Sequence, residues 1–357
     1  MQNKKIVFTI SSMYSGGAER VMSYLVNFFA YKYDVYLILL CKRKIVYYID
    51  PKVKIIELDL CKNSKGLFKS INNNINRYKI LKHEVQKISP NLIVSFLTQT
   101  NILMTMIAKS LKIPIIISER SVYISETNKI WRFLRRIVYP YSDLLVVLTK
   151  NEFLNYKFVT NITKIYNPLI LKDVELKKED IILAVGRLHK VKQFEKLIYI
   201  FSKLKNHKYK LLILGDGKER KYLENLISQL NLNDKIKLLG HIKNIEEYYA
   251  KAKILCLTSK YEAFPNVLIE AMGYECAIVS FDCPYGPSEI INNNIDGILV
   301  EDQNIDDFKN KLELLMDDES LRLKFIKNAK KKIKQFEFDN IIKQWEINID
   351  NIIKNNI

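Results

Sequence analysis

Short runs of β-branched residues alternate with segments of helical period along nearly the whole chain, and the series starts twice. The first series places strand candidates at residues 6–10, 35–40, 92–96, 113–117 and 144–148, with a helix over 18–30 between the first two. The second begins again at 181–185 and continues through 210–214, 236–238, 254–257 and 277–280. Strand, helix, strand repeated in this way predicts parallel sheets covered by helices on both faces. The apolar runs are continuous rather than alternating, as strands buried on two sides require. A single core stops growing near roughly 250–300 residues, and this chain has 357. The expected fold is therefore α/β, with two doubly wound, Rossmann-like domains. A composition of 48% hydrophobic and 27% charged residues excludes a disordered chain, and ten Gly exclude a collagen repeat.

The turn at Asn167-Pro168 and the mixed-charge stretch 172–180, which has neither helix nor strand period, mark the junction near residues 170–175. The reading is a first domain over 1–170, a second over 171–335 and a terminal helix over 336–357 that crosses back to the first. Residues 305–357 read as helices, and the Asn-rich patch 72–76 as loop or helix surface. Charge divides unevenly between the halves. Residues 1–176 carry 27 basic and 12 acidic side chains, whereas residues 177–357 carry 30 and 27. The excess in the first half calls for an anionic partner there: a phosphorylated substrate, an acidic membrane surface or nucleic acid. No recognition motif for nucleic acid accompanies it. The five cysteines form no C-x-x-C pair and are expected to be reduced, mostly buried thiols. The apolar stretch after Lys4 and Lys5 is too short for a secretory signal, and no run approaches the length of a membrane span. The expected location is cytoplasmic, with membrane contact only peripheral.

Ligands of open α/β sheets bind beyond the carboxyl ends of the strands, so the residues after each strand carry the chemical information. After the first strand stand Gly16 and Gly17, which let the backbone approach an anion at a helix start. The pattern is not G-x-G-x-x-G, which counts against a nicotinamide dehydrogenase. After the strand at 181–185 come Gly186, Arg187 and, five residues later, Lys192, two cations suited to a diphosphate. Gly215-Asp216-Gly217 is a further glycine turn. After the strand at 254–257 the sequence TSKYEAFPNVLIEAM puts Glu262 on a loop, Pro265 at the first position of a helix, and Asn266 and Glu270 on one helix face. Each pattern also has a plain structural reading, as a tight turn, a solvated basic loop or helix surface. The four His are scattered, and no metal-ligand spacing is present.

Taken in order, the Gly-Gly turn, G-R-x-x-x-x-K and the pair Glu262 and Glu270 eight apart resemble the family 4 retaining glycosyltransferases of the GT-B fold, whose two domains face a central cleft. Ser118-Glu119, Asn167-Pro168, Gly286-Pro287-Ser288-Glu289 and Asp296-Gly297 extend the resemblance from residue 6 to about 334. It looks closest to bacterial enzymes that extend polyprenyl-diphosphate-linked glycans, N-acetylgalactosamine transferases among them, and Trp131-Arg132-Phe133-Leu134-Arg135-Arg136 adds to it. The resemblance implies a second domain that binds a nucleotide sugar, with a UDP-sugar as donor and no cofactor or metal, and a first domain that receives the acceptor. By position, Arg187 and Lys192 would hold the donor diphosphate, Glu270 the ribose hydroxyls, and Glu262 the transferred sugar. The amides of Phe264, Pro265, Asn266 and Val267 would lie by the phosphate, Gly186, Gly215, Gly16 and Gly17 would line the cleft, and His241 and Ile242 would stand near the base. Lys62, Lys65, Lys69, Arg77, Lys79 and Lys82 form a run without an acidic residue, which together with Glu119 and Arg120 is assigned to the lipid-linked acceptor or an anionic membrane surface. Alternatives are a glycosyltransferase with a soluble acceptor and a nucleic-acid-binding protein. The chain departs from the family at Gln193 and Ala263, where glycine is usual and where the backbone is expected to be more ordinary. It departs also at Arg120, where many relatives have a histidine, and at Glu275-Cys276-Ala277, which lacks the usual Gly and Pro.

Overall fold

The computed structural model of the chain describes residues 4–14, 16–61, 67–125, 128–205 and 208–355. It divides into two compact units, residues 1–167 with 341–357, and residues 168–340. The division falls at the Asn167-Pro168 bond, a few residues before the stretch of mixed charge. The terminal segment grouped with the first unit starts at residue 341 rather than 336.

Among the described residues, the first unit is built on seven strands: β1 (Lys5–Ile10), β2 (Asp34–Leu39), β3 (Lys54–Glu57), β4 (Leu92–Phe96), β5 (Ile115–Ser118), β6 (Leu144–Val147) and β7 (Ile162–Lys164). They pair in the order β3-β2-β1-β4-β5-β6-β7, all parallel, with Ile6 opposite both Val35 and Leu92. The interior strands β4, β5 and β6 are buried along their whole length, which explains their unbroken apolar sequences. Helices α1 (Gly17–Phe29), α2 (Leu67–Ile88), α3 (Thr98–Leu111), α4 (Lys129–Val138) and α5 (Lys150–Asn155) connect them. The patch 72–76 lies on α2.

The second unit has six parallel strands, β8 (Glu179–Val185), β9 (Lys210–Leu214), β10 (Ile236–Gly240), β11 (Ala252–Leu257), β12 (Ala277–Phe281) and β13 (Ile298–Val300), in the order β10-β9-β8-β11-β12-β13 among the described residues. Its helices are α6 (Phe194–Ser202), α7 (Arg220–Gln229), α8 (Ile245–Lys251), α9 (Asn266–Gly273), α10 (Pro287–Ile290), α11 (Ile305–Asp317) and α12 (Glu319–Lys332). Ile182, Leu197, Leu211, Val279, Phe281 and Phe308 lie in one fully buried core between sheet and helices. The last helix, α13 (Phe338–Asn355), carries Ile341, Trp345, Ile349 and Ile353 at four-residue spacing, all buried. Trp345 stacks at a tilt 6.0 Å from Phe96 at the end of β4 and so completes the core of the first unit.

Several expectations are corrected here. Strands β3 and β7 are absent from the sequence reading because these edge strands are short and half-solvated, and β13 because three residues, although mostly buried, are too few to show a run. Cys41 and Cys61 form a disulfide, not two thiols; Cys256, Cys276 and Cys283 are buried and free. Pairing of the chain past the ends of β2 and β3, through Leu60 N to Leu40 O at 2.6 Å, brings the two Cα atoms to 5.1 Å. Of the basic run, Lys62 and Lys65 lie outside the described residues. Lys69 and Lys79 lie on α2, as does Lys82, whose ammonium is 5.9 Å from the Tyr78 ring. Arg77 is not a solvated cation: its Nε donates to Leu60 O at 2.9 Å and one amino group to Asn74 Oδ1 at 3.1 Å.

Candidate functional site

In the second unit the loops leaving β8, β9 and β10 are sewn together through their backbones. Gly186 N donates to Leu214 O at 2.9 Å, Gly215 N to Gly240 O at 2.8 Å, and Leu188 N to Asp216 O at 3.0 Å. A Cβ on Gly215, whose φ is 130°, would lie 1.9 Å from the Gly186 carbonyl oxygen, so only glycine permits this approach. Arg187 stands at that seam. Its side chain is exposed and makes no hydrogen bond or ion pair among the described residues.

Lys192 is the last residue of a short 3₁₀ turn, Lys190–Lys192. Its stem passes over Gly186, where a Cβ would come within 3.2 Å of Cε. Its ammonium pairs with Glu262 Oε1, which also accepts the Ser259 hydroxyl at 2.6 Å. Thr258 Oγ1 donates to the carbonyl of Lys192 at 3.1 Å, and Lys260 N to Val191 O at 2.8 Å. The loops after β8 and β11 are thus one assembly that holds Lys192 and Glu262 side by side. Gln193 keeps the left-handed backbone, φ 50°, although it is not glycine, which corrects the expectation of an ordinary conformation there. Ala263 shows no positive φ, as expected of it. Glu275 is likewise left-handed, φ 60°, just past the end of α9, so the chain keeps the turn that glycine usually makes there.

Pro265 precedes α9 instead of opening it, and the helix begins at Asn266, followed by Val267. The Phe264 side chain turns inward, 6% exposed, edge-on to Phe336 at 5.7 Å, so only its backbone is left for a ligand. A Cβ on Gly286 would lie 2.4 Å from Pro265 Cδ and 2.9 Å from Glu262 O, which makes the loop after β12 the floor beneath this turn. On α9, Glu270 Oε2 accepts the Tyr249 hydroxyl at 2.8 Å. His241 is exposed and Ile242 half-buried on the turn that leaves β10. Gly186, Arg187, Lys192, Gly215, His241 and Glu262 belong to the strand ends and following turns of this unit, and Glu270 to α9, the helix that follows one of those turns. Ser259, Tyr249 and Gly286 support them. The sequence reading counts Gly286 only within a motif that extends the resemblance, and gives Ser259 and Tyr249 no role because nothing local distinguishes them from other Ser and Tyr residues.

Gly16 and Gly17 belong to the first unit. Gly16 (φ 155°) precedes α1, which starts at Gly17, and the Tyr47 hydroxyl donates to Gly16 O at 2.9 Å. Glu119 and Arg120 are buried, 2% and 8% exposed, which does not suit the membrane surface offered above as one of their two assignments. Glu119 accepts hydroxyls from Thr98 (2.9 Å), Tyr139 (2.8 Å) and Ser121 (2.8 Å). Arg120 donates to Ser118 Oγ (2.8 Å) and Asn167 Oδ1 (2.5 Å) and lies over the rings of Phe96 and Trp345. Burial lowers its pKa, partly opposed by the Glu119 charge. Neither side chain faces a bilayer. No cluster of metal-ligating side chains, and no helix long and apolar enough to cross a membrane, occurs among the described residues.

The architecture is that of HepE from Anabaena solved in complex with UDP-glucose, at a TM-score of 0.78 with 15% identity, covering 97% of this chain and 99% of that one. The fold class is GT-B. Residues 169–332 match the profile of the family "Glycosyl transferases group 1". A Campylobacter jejuni protein named GalNAc-alpha-(1->4)-GalNAc-alpha-(1->3)-diNAcBac-PP-undecaprenol alpha-1,4-N-acetyl-D-galactosaminyltransferase is 34% identical over 350 residues, 96% of this chain and 97% of the relative. A second from the same organism, named N-acetylgalactosamine-N,N'-diacetylbacillosaminyl-diphospho-undecaprenol 4-alpha-N-acetylgalactosaminyltransferase, is 31% identical over 94% of this chain and 96% of its own. The chain belongs to the group 1 glycosyltransferases.

Proposed function

We propose that the protein transfers an N-acetylhexosamine from a UDP-sugar to a polyprenyl-diphosphate-linked glycan, with retention of configuration, at the inner face of the cell membrane. The observation that carries this reading is end-to-end similarity to two relatives whose names specify both that sugar and that acceptor class. The geometry supports it. Departure of a nucleoside diphosphate builds negative charge on the leaving oxygens, and Arg187 with Lys192 supplies two cations at one seam of backbone. Preorganised charge of this kind provides most of the rate enhancement in many enzymes. Glu262 keeps the Lys192 ammonium oriented. The Glu270 carboxylate, steadied by Tyr249, is suited to accept bonds from vicinal ribose hydroxyls.

An exposed face of α4 supports the membrane part of this reading. On α4, Ile130, Phe133 and Ile137 lie along one side, 55%, 65% and 46% exposed, beside exposed Arg132 and Arg136 and with no acidic residue on the helix. An apolar stripe rimmed by cations is the pattern of a helix that lies in the interface of an anionic leaflet. The test is release of UDP by purified protein given a panel of UDP-sugars and an undecaprenyl-diphosphate-linked N-acetylhexosamine disaccharide. UDP-N-acetylgalactosamine should be the productive donor, and Lys192→Ala should lower kcat by roughly 10²–10³. Unchanged turnover in that variant, or release of UDP with no product on the lipid-linked glycan, would remove the assignment.

A further inference from the structure

The first unit holds a cavity of about 370 Å³ that the donor chemistry does not use. It opens where the strand order reverses between β1 and β4, the place at which doubly wound sheets bind ligands. Arg77, Leu97, Thr98, Gln99, Ser121 and Trp131 line it. Its volume lies in the usual range for small-molecule sites, about 300–1,000 Å³.

Three features select the ligand. Trp131, on α4, is half-buried and contributes an indole wall to the cavity. Thr98 and Ser121 both donate their hydroxyl protons to the buried Glu119 carboxylate, at 2.9 and 2.8 Å. Each hydroxyl has one proton to give, so both oxygens are left with acceptor capacity only. Arg77 and the exposed Gln99 amide add donors, and no carboxylate lines the space among the described residues. An aromatic wall with fixed acceptors on one side and donors on the other fits a sugar ring, which has an apolar face and a belt of hydroxyls. A single arginine is a weak seat for a diphosphate beside the Arg187 and Lys192 pair.

The backbone supplies an independent sign. Leu97 has φ 76° and ψ 141°, a region open in practice only to glycine, held by Leu97 N to Ser118 O at 3.1 Å and by Asn101 N to Leu97 O at 2.8 Å. Strain of this kind collects at ligand clamps, and here the strained residue is itself part of the cavity wall.

We propose that this cavity is the subsite for a sugar residue of the acceptor glycan, with Trp131 as its stacking wall and Glu119 as the positioning residue that orients the Thr98 and Ser121 hydroxyls. The inference rests on the proposed glycan acceptor, and the experiment separates the two. Trp131→Ala, Trp131→Tyr and Gln99→Ala are assayed with a short-chain polyprenyl-diphosphate-linked N-acetylhexosamine disaccharide, and donor hydrolysis without acceptor is measured in parallel. Trp131→Ala should raise the acceptor KM by roughly fivefold to tenfold, with the donor KM and the hydrolysis rate unchanged, and Trp131→Tyr should restore most of the loss. Gln99→Ala should raise the same KM by a few-fold. Because the other tryptophan, Trp345, is fully buried, the acceptor should also shield the wild-type protein's accessible indole from acrylamide quenching. Normal hydrolysis with unchanged acceptor KM in Trp131→Ala and Gln99→Ala, and no shielding, overturns the subsite while leaving the donor reading intact. Absence of UDP-sugar turnover in the wild type would instead overturn the reading on which it rests.

Discussion

Gly215→Ala is the sharpest test of how the second unit builds its site. A methyl group there would sit 1.9 Å from the Gly186 carbonyl oxygen and 2.8 Å from the Gly186 carbonyl carbon, both backbone atoms that cannot rotate away. The turns leaving β8 and β9 must therefore separate by about 1 Å or more to restore ordinary contact. The φ of 130° adds a conformational penalty that alanine feels and glycine does not. Overpacking costs about 1–3 kcal/mol and the backbone region about 1–3 more, so the expected loss is about 4 kcal/mol. Gly217→Ala is the control. Its Cβ would lie 2.2 Å from Leu188 O, but its φ is unrestricted, so it should lose only the packing part, about 1–3 kcal/mol. Chemical unfolding should be followed by far-ultraviolet circular dichroism, because Trp131 and Trp345 both belong to the first unit and tryptophan fluorescence is blind to the second. The folded fraction of Gly215→Ala should also turn over slowly, since the seam that moves carries Arg187 and a 1 Å misplacement costs about 10²-fold. A loss under about 0.5 kcal/mol, or one no greater than that of Gly217→Ala, would refute the reasoning.

Two further outcomes follow from buried or strained positions. Burial pushes the Glu152 carboxyl from 4.5 up to about 7, and its Oε2 has no partner among the described residues. The stability this group lends is whole below pH 4.5 and is lost as pH rises through 7, about 3 kcal/mol in all. Glu152→Gln should flatten the dependence of the urea midpoint on pH between 5 and 8, and a slope equal to that of the wild type would contradict the burial argument. Glu275→Gly should raise the melting temperature, because glycine removes a left-handed penalty of about 1–2 kcal/mol and returns about 0.5–1 in chain entropy. Its exposed ion pair with Lys330 contributes little. Glu275→Ala should not stabilise, and a Gly variant no better than the Ala variant would count against the turn.

The central strands are legible in the sequence because burial on both faces leaves unbroken apolar runs, and β4 and β9 fall on the expected residues. Edge strands are not, since β3 presents Lys54, Ile55 and Glu57 to solvent and reads as loop. Donor-side cations and carboxylates are recognisable because strand-end turns must carry them in fixed order. Tyr249 escapes because only the fold brings it to Glu270, and Ser259 because a serine three residues before Glu262 is unremarkable in sequence. The charged pair Glu119 and Arg120 misleads for the opposite reason. Two adjacent ionic residues suggest a surface, but the hydroxyls that satisfy Glu119 come from α3 and the segment after α4, far apart in sequence. Gln193 and Glu275 show that a turn can keep its conformation after its glycine is replaced, so the loss of the residue does not announce the loss of the shape.

The grouping of residues 341–357 with the first unit has a consequence for biosynthesis. A ribosome delivers residues 4–167 well before it delivers Trp345, and all of the second unit is made in between. Until then the nascent amino-terminal half has a greasy flank beside Phe96 and Arg120 with nothing yet made to cover it. Folding on the ribosome must therefore leave one half waiting for the last helix, and a fragment cut at residue 167 would inherit that exposed flank permanently.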